Sequence, residues 1–262
     1  MPEPWAEVIG DPIAHSLSPA LHRSWIEALG LKARYERSHV AAEELKPFLA
    51  QRRTDPDWRG CNVTAPHKRA VLGLVDRLTP AAERIGAANC IYRDGDLLVG
   101  DNTDVAGIAA ALADIEIAGT KTVILGAGGA AAPAVDHLLS RGAGQIVLLA
   151  RDPAKAEPLR GRAPNRISAA PFGGKALADA SIIINATPLG MTGAPPLPTA
   201  ILHALPSAVA GAAVLDMVYR PERTPLLAAA EAAGLRAVGG LTMLVGQARP
   251  SFELFFGRRA PA

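Results

Sequence analysis

Cysteine is nearly absent: Cys61 and Cys90 are the only two in 262 residues. A pair cannot make a disulfide framework, and without CxxC or a Cys/His cluster a reducing compartment is the natural one. Aromatics are scarce at 4%, which removes the stacking platforms that hold nucleic-acid strands. Neither sign of charge dominates, with 27 Lys and Arg against 25 Asp and Glu and a formal +2. No block of like charges makes an arm or tail for a polyanion. Apolar runs are cut by Gly, Pro or charge well short of the ~20 residues that a membrane span needs. The six histidines, His15, His22, His39, His67, His137 and His203, show neither HxxxH nor HExxH spacing, so no metal is expected. The opening MPEPWAEVIGDPIAHS lacks the basic stretch followed by an apolar one that marks a secretory leader. The expectation is a cytoplasmic protein with no nucleic-acid and no membrane partner. Monomer and homodimer are both open, since no apolar helix face exceeds what a core needs.

What is present is alanine and glycine, within 49% hydrophobic residues, a composition for close helix–sheet packing. A chain of this length buries a core without staples, as one large domain or two of ordinary size. Short apolar runs alternate with longer helical patterns from end to end, the rhythm of βαβ units and a largely parallel sheet. Strands are expected at Ala6–Ile9, Ala33–Ser38, Gly60–Thr64, Leu97–Val99, Lys121–Leu125, 145–150, Ser181–Thr187 and Ala213–Tyr219. Helices are expected from about Pro19 to Leu29, from Ala42 to Gln51, from His67 onward, after a capping Asp104, and over Leu241–Phe256. The expected fold is α/β in two domains. An N-terminal α/β substrate domain with a mostly parallel sheet takes residues 1–104, joined by the C-terminal helix of 238–262. A Rossmann-like dinucleotide-binding domain takes residues 105–237.

TVIL within Lys121–Leu125 is a continuous β-branched and apolar run, suited to a strand buried on both faces. Gly126-Ala127-Gly128-Gly129-Ala130-Ala131 follows at once with the form GxGxxA and opens a helix. The motif alone is weak in a chain rich in alanine and glycine; strand, turn and helix in succession give it force. Glycines there let the backbone approach a pyrophosphate, whose charge meets unpaired N–H groups and the dipole at the helix N-terminus. Roughly twenty residues on, the next strand ends at Ala150-Arg151-Asp152, where such folds meet the adenosine ribose. Arg151 and Lys155 suit the 2′-phosphate of NADP, whereas Asp152 suits the free 2′-hydroxyl of NAD and repels a phosphate. Two cations against one anion favour NADP. A plainer role for Asp152 is to cap a helix starting at Pro153.

Four N-terminal segments gather polar residues where loops are expected: His15-Ser16-Leu17-Ser18-Pro19, Asn62-Val63-Thr64-Ala65-Pro66-His67-Lys68, Ala87-Ala88-Asn89 and Gly100-Asp101-Asn102-Thr103-Asp104. Hydroxyls, amides, an ammonium and a carboxylate together suit a polyhydroxylated anion. Two serines at i and i+2 before a helix start can both bond a carboxylate, or one can simply cap the helix. By composition alone Lys68 is a surface residue of the helix after Pro66.

GDPIAHSLSP, NVTAPHK, GAANCIY, DNTDVAG, VILGAGGAA, NATPLGM and GGLTMLVGQA follow, in order and spacing, the motifs of the shikimate dehydrogenase family. The chain resembles that family over nearly its whole length. The resemblance implies two α/β domains with the active site in the cleft between them. It implies reversible reduction of 3-dehydroshikimate to shikimate by NADPH, a step of aromatic amino-acid (chorismate) biosynthesis. Carried over residue by residue, it implies Lys68 and Asp104 as the catalytic pair, and Ser16, Ser18 and Tyr219 on the substrate carboxylate. It also implies Thr64, Asn89 and Gln247 on ring hydroxyls, and Thr187, Met217, Gly240 and Met243 along the nicotinamide. Hydride delivered to a ketone leaves an alkoxide, and an ammonium within reach can protonate or stabilise it.

The chain also departs from the family pattern. Ala150 stands where many members have Asn, and Asp152 where Thr or Ser is common, so an NAD-preferring quinate/shikimate dehydrogenase is the rival enzyme. Ser18, where members acting on quinate often carry Thr, favours shikimate. A non-enzymatic dinucleotide sensor would need the glycine turn but has no use for both Lys68 and Asp104. Cys61 precedes Asn62 and Cys90 follows Asn89, so both thiols are expected near the cleft and open to thiol reagents.

Overall fold

Trp5–Gly10 (β1) is buried along almost its whole length, and its neighbours explain why. It pairs in parallel with Arg34–His39 (β2) on one side and with Trp58–Val63 (β3) on the other. The structure, a computed structural model, describes residues 3–261. In chain order the first part adds Ser18–Ala28 (α1), Leu45–Thr54 (α2), Arg77–Leu78 (β4), Pro80–Ile85 (α3), Cys90–Asp94 (β5), Leu97–Asp101 (β6) and Asp104–Ala111 (α4). The sheet order is β2-β1-β3-β5-β6-β4, with β5 antiparallel to both β3 and β6. Alternate residues of β1 enter two apolar clusters, as a period of two requires: Ala6 and Val8 join Trp25, Tyr35 and Phe252, while Ile9 joins Trp58, Val63 and Leu98. Glu7 is the charged exception on β1. Its buried carboxylate is held by Arg52 Nε at 2.7 Å and Trp58 Nε1 at 2.9 Å, which offsets the desolvation.

The second part contains Lys121–Leu125 (β7), Ala131–Ser140 (α5), Gln145–Leu149 (β8), Glu157–Arg160 (α6), Ile167–Ala170 (β9), Ile182–Asn185 (β10), Thr199–Ala204 (α7), Ala213–Asp216 (β11), Pro225–Ala232 (α8) and Arg236–Val238 (β12). Gly240–Phe256 (α9) follows. The sheet order is β12-β11-β10-β7-β8-β9, parallel throughout. The chain leaves β7 toward β9 and returns on the other side with β10. Between β7 and β10 the winding reverses, and open α/β sheets take ligands at the carboxyl ends of the strands there. Val123, Leu125, Val147, Leu149, Ile183 and Val214 form its core with Leu197, Ile201 and Leu226.

Met1–Ala106 with Leu244–Ala262 make one compact unit, and Gly107–Met243 the other. Both crossings fall inside helices, α4 and α9, two and six residues beyond the expected divisions at 104/105 and 237/238. The helix expected from His67 does not form: residues 65–69 are turn, and only Ala70–Gly73 winds into a short 3₁₀ segment. One i→i+4 bond forms, from the Val71 N–H to His67 O at 3.1 Å, but the Lys68 carbonyl accepts the Ala88 N–H at 2.8 Å and the Leu72 N–H turns to Arg69, so the ladder does not continue. Strands β10 and β11 end at Asn185 and Asp216, before the expected Thr187 and Tyr219, because those two side chains fold back on the residues beyond them. Among the described residues no helix is long and apolar enough to cross a membrane, and no cluster of three or more His, Cys, Asp and Glu could hold a metal.

Candidate functional site

In the first unit the carboxyl ends of β1, β3 and β6 and the amino end of β5 lie on one edge of the sheet, by strand direction alone. Those ends carry Ser16, Thr64, Lys68, Asn89 and Asp104. Lys68 Nζ donates to Asp104 Oδ2 at 2.6 Å. Asp104 Oδ1 accepts from Asn89 Nδ2 at 2.8 Å, and Asn89 Nδ2 also faces Thr103 Oγ1 at 3.1 Å and Gln247 Oε1 at 3.4 Å. Asn89 Oδ1 accepts the Thr103 N–H at 2.7 Å. Asp104, Asn89 and Gln247 are buried, while the Lys68 side chain keeps 21% exposure. An ammonium has three donors; among the described residues only Asp104 takes one, so Lys68 presents N–H groups to whatever occupies the site.

Asp104 does not cap α4 as expected. It is the first helical residue, and its carboxylate is turned to Lys68 and Asn89 instead. Gln247 is likewise buried on α9, turned inward to Asn89 and to Thr103 at 3.5 Å. Ser16 and Ser18 stand together at the start of α1, where Ser16 Oγ accepts the Ser18 N–H at 3.3 Å, so Ser16 makes a local turn bond while Ser18 is inside the helix. Thr64 is half-buried in the turn after β3, its methyl group against Gly10, where a Cβ would meet it at 2.4 Å.

The first unit also contains supports that sequence reasoning missed. Thr103 bonds Asn89 and, at 3.1 Å, Ser251. Ser251 accepts from Asn62 Nδ2 at 2.9 Å, and Asn62 Oδ1 accepts the Tyr35 hydroxyl at 2.7 Å. A continuous buried chain thus runs from Tyr35 to Lys68. Asn62 and Thr103 lay within the polar segments, but Ser251 is one hydroxyl on a helix, and only its position one turn after Gln247 hints at a shared face.

In the second unit the turn after β7 has the form that a pyrophosphate requires. Gly126 takes φ +107°, and a Cβ there would meet Thr187 Cγ2 at 2.9 Å and Ala186 O at 3.1 Å. Gly128 and Gly129 face open space with nothing within 4 Å of such a Cβ, leaving an uncovered approach to the start of α5 along Ala127–Ala130. Ala131, fully buried, packs the helix onto the sheet. After β8, Arg151 and Lys155 are exposed and in no ion pair among the described residues. Asp152 caps a 3₁₀ turn over Pro153–Ala156, its Oδ1 accepting the Ala154 N–H at 3.1 Å. The residues therefore fit a dinucleotide with a 2′-phosphate. Thr187, Met217 and Tyr219 follow the carboxyl ends of β10 and β11, and Gly240 approaches the Met217 carbonyl so closely that a Cβ would lie 2.7 Å from it. Met243 is half-buried on the first turn of α9.

Cys61 and Cys90, expected near the site and open to thiol reagents, are both buried in the first unit, with the Cys90 thiol bonded to Ser251 of the buried chain. Neighbouring residues of a strand point to opposite faces, so Cys61 turns away from Asn62. Burial raises both thiol pKa values above the ordinary range.

Residues 8–91 match the family model of the shikimate dehydrogenase substrate binding domain. Residues 108–190 match that of shikimate / quinate 5-dehydrogenase, and residues 240–262 the shikimate 5′-dehydrogenase C-terminal domain. The chain is 46% identical to shikimate dehydrogenase (NADP(+)) of Sphingopyxis alaskensis, over 98% of its own length and 93% of that relative. Shikimate 5-dehydrogenase of Thermus thermophilus, solved in complex with NADP(H) and shikimate, superimposes with TM-score 0.86 at 34% identity, covering 98% of this chain and 95% of that one. Ligand-free 5-ketofructose reductase of a Gluconobacter species superimposes with TM-score 0.86 at 31% identity, covering 99% and 95%. By sequence over nearly its whole length and by fold, the chain belongs to the shikimate dehydrogenase family.

Proposed function

We propose that Lys68 and Asp104 carry the proton transfer in reversible, NADP-dependent reduction of 3-dehydroshikimate to shikimate. The observation behind this is the 2.6 Å Lys68–Asp104 contact, braced by Asn89 on the other carboxylate oxygen. The chain is an oxidoreductase acting on a CH–OH group, with NADP as cofactor. NADPH, when bound, supplies the hydride to the ketone carbon. The ketone oxygen then carries the negative charge; the Lys68 ammonium gives it a proton and is reprotonated from water. In the oxidation direction the neutral amine takes the hydroxyl proton. Asp104 fixes Lys68, so the donor is oriented before the substrate arrives.

Ser16, Ser18 and Tyr219 are assigned to the substrate carboxylate, and Thr64, Asn89 and Gln247 to ring hydroxyls. Buried amides reject an analogue that lacks a hydroxyl, because their own hydrogen bonds then go unmade. Gly126–Ala130 would hold the pyrophosphate, and Arg151 and Lys155 the 2′-phosphate. Two exposed cations, Arg151 and Lys155, against the single carboxylate of Asp152 support NADP over NAD. Thr187, Met217, Gly240 and Met243 are assigned to the nicotinamide. Two unpaired, buried cysteines support a reducing compartment, and we place the chain in the cytoplasm.

The purified chain is expected to reduce NADP⁺ with shikimate far faster than NAD⁺, and faster than with quinate. Lys68→Ala should lose roughly 10²- to 10⁴-fold in kcat, the usual share of a positioned acid–base group. Arg151→Ala should raise KM for NADP⁺ and leave NAD⁺ unaffected. Wild-type turnover in Lys68→Ala would overturn the acid–base role. Likeness to a 5-ketofructose reductase makes 5-ketofructose the necessary third substrate, and preference for it would overturn the substrate assignment.

A further inference from the structure

Asn185 and Asp216, the last residues of β10 and β11, and Thr224, which precedes α8, are fully buried, beside an apolar core in which Leu or Val would pack without desolvation cost. No step above uses them. Asn185 Oδ1 accepts both the Thr187 N–H at 3.0 Å and the Thr187 hydroxyl at 2.7 Å. Its Nδ2 donates to Leu189 O at 3.1 Å and to Asp216 Oδ1 at 2.9 Å. Asp216 Oδ1 accepts in addition from the Val218 N–H at 3.0 Å, and Oδ2 from the Thr224 hydroxyl at 2.6 Å. Thr224 Oγ1 in turn accepts the Leu227 N–H at 3.2 Å and so caps α8. The Met217 N–H donates to Asn185 O at 3.1 Å.

We infer that Asn185 and Asp216 are positioning residues for the nicotinamide half of the cofactor, through one amide–carboxylate bond that sets two turns against each other. One turn carries Thr187; the other carries Met217 and Tyr219. The bond joins the two turns beside the main-chain bond from Met217 N–H to Asn185 O, so side chain and main chain together fix their relative position. The Thr187 methyl group in turn abuts Gly126, which ties the pair to the pyrophosphate turn. Burial holds the Asp216 carboxyl above the usual range, against the Thr224, Val218 and Asn185 bonds that favour its charged form. A group held at that cost, with its oxygens committed to the two turns and to α8, is expected to set geometry. The inference rests on the assignment of Thr187 and Met217 to the nicotinamide.

The test separates the two halves of the cofactor. The variants are Asn185→Ala, Asp216→Leu and Asp216→Asn. The ligands are NADPH and 2′-phospho-ADP-ribose, which carries the adenine half without nicotinamide. Asn185→Ala and Asp216→Leu are expected to lose 10- to 100-fold in kcat, the scale of an ångström-sized misplacement, while 2′-phospho-ADP-ribose binds within about twofold of wild type. Asp216→Asn keeps an acceptor for Asn185 and Val218 and should recover most of the turnover lost in Asp216→Leu. Thr224→Val, which keeps the shape and removes one donor, should show the same split in milder form if the first two variants aggregate. Unchanged kcat in the folded variants would overturn the inference. So would fragment affinity falling in step with kcat, since that is general loosening of the unit. Failure of the parent assignment shows elsewhere, as a Met217→Ala variant that keeps wild-type kcat and KM for NADP⁺ while Asn185→Ala loses kcat.

Discussion

His22 stacks on Tyr35 with ring centroids 4.0 Å apart and meets Trp25 edge-on at 5.5 Å. Neither ring nitrogen has a hydrogen-bond partner among the described residues. Burial lowers its pKa from 6.5 to about 3, so the folded chain keeps the ring neutral where the unfolded chain takes up a proton. Stability from the neutral ring is therefore fully present above pH 6.5 and is lost as pH falls from 6.5 toward 3, by a ceiling of about 5 kcal/mol. His22→Phe keeps the ring stack and removes the proton site. Urea unfolding of both proteins at neutral pH and near pH 4.5 should show the variant losing about 2 to 3 kcal/mol less on acidification. Equal pH dependence would assign the acid loss to the carboxylates alone.

At the scale of elements, the two glycines that flank Ala127 in the turn after β7 do different work. Gly126 has a left-handed φ and no room for a Cβ beside Thr187, whereas Gly128 faces open space. Gly126→Ala is therefore expected to cost about 1 to 3 kcal/mol from backbone strain, with further loss from the clash, seen as a lower unfolding midpoint. Gly128→Ala should leave the midpoint unchanged and, on the proposed assignment of this turn to the pyrophosphate, raise KM for NADPH, because its methyl group enters that open space. Equal loss of stability in both would mean that the turn is only structural. This turn was legible in the sequence because strand, turn and helix are local and contiguous. The Lys68 turn was not legible as a turn. What breaks its helix is a bond from Ala88, far along the chain, and no local pattern announces it. Asp104 reads as a cap for the same reason: its true partners, Lys68 and Asn89, arrive through the topology of β3, β5 and β6. Strands β4 and β9, short and without an apolar run, carried no signal either.

At the scale of the whole molecule, the cysteines separate closeness to the site from access to it: the Cys90 thiol bonds Ser251 of the buried chain, yet neither thiol reaches solvent. Cys61 and Cys90 adjoin Asn62 and Asn89, yet both side chains are fully buried. Cys61 lies among Ile9, Trp58 and Val63, and Cys90 among Tyr35, Ala248 and Phe252. Burial keeps both thiols protonated at neutral pH, and it is the thiolate that attacks a disulfide reagent. With an aromatic disulfide reagent the native chain should therefore release no thionitrobenzoate on the timescale of a free thiol, and two equivalents in urea. Labelling then reports opening of the first unit, since both thiols belong to its core. On the proposed assignment of Ser16, Ser18, Thr64, Asn89 and Gln247 to shikimate, the ligand would have to leave before that core opens. A ligand that binds only the folded state lowers the open population by the factor 1 + [L]/Kd, about 100-fold at a hundred times Kd. Labelling in the presence of saturating shikimate should slow by that factor. An unchanged rate would mean that the opening which exposes the thiols leaves the binding residues in place, and that the two cysteines report a local motion of β3 and β5 rather than loss of the unit.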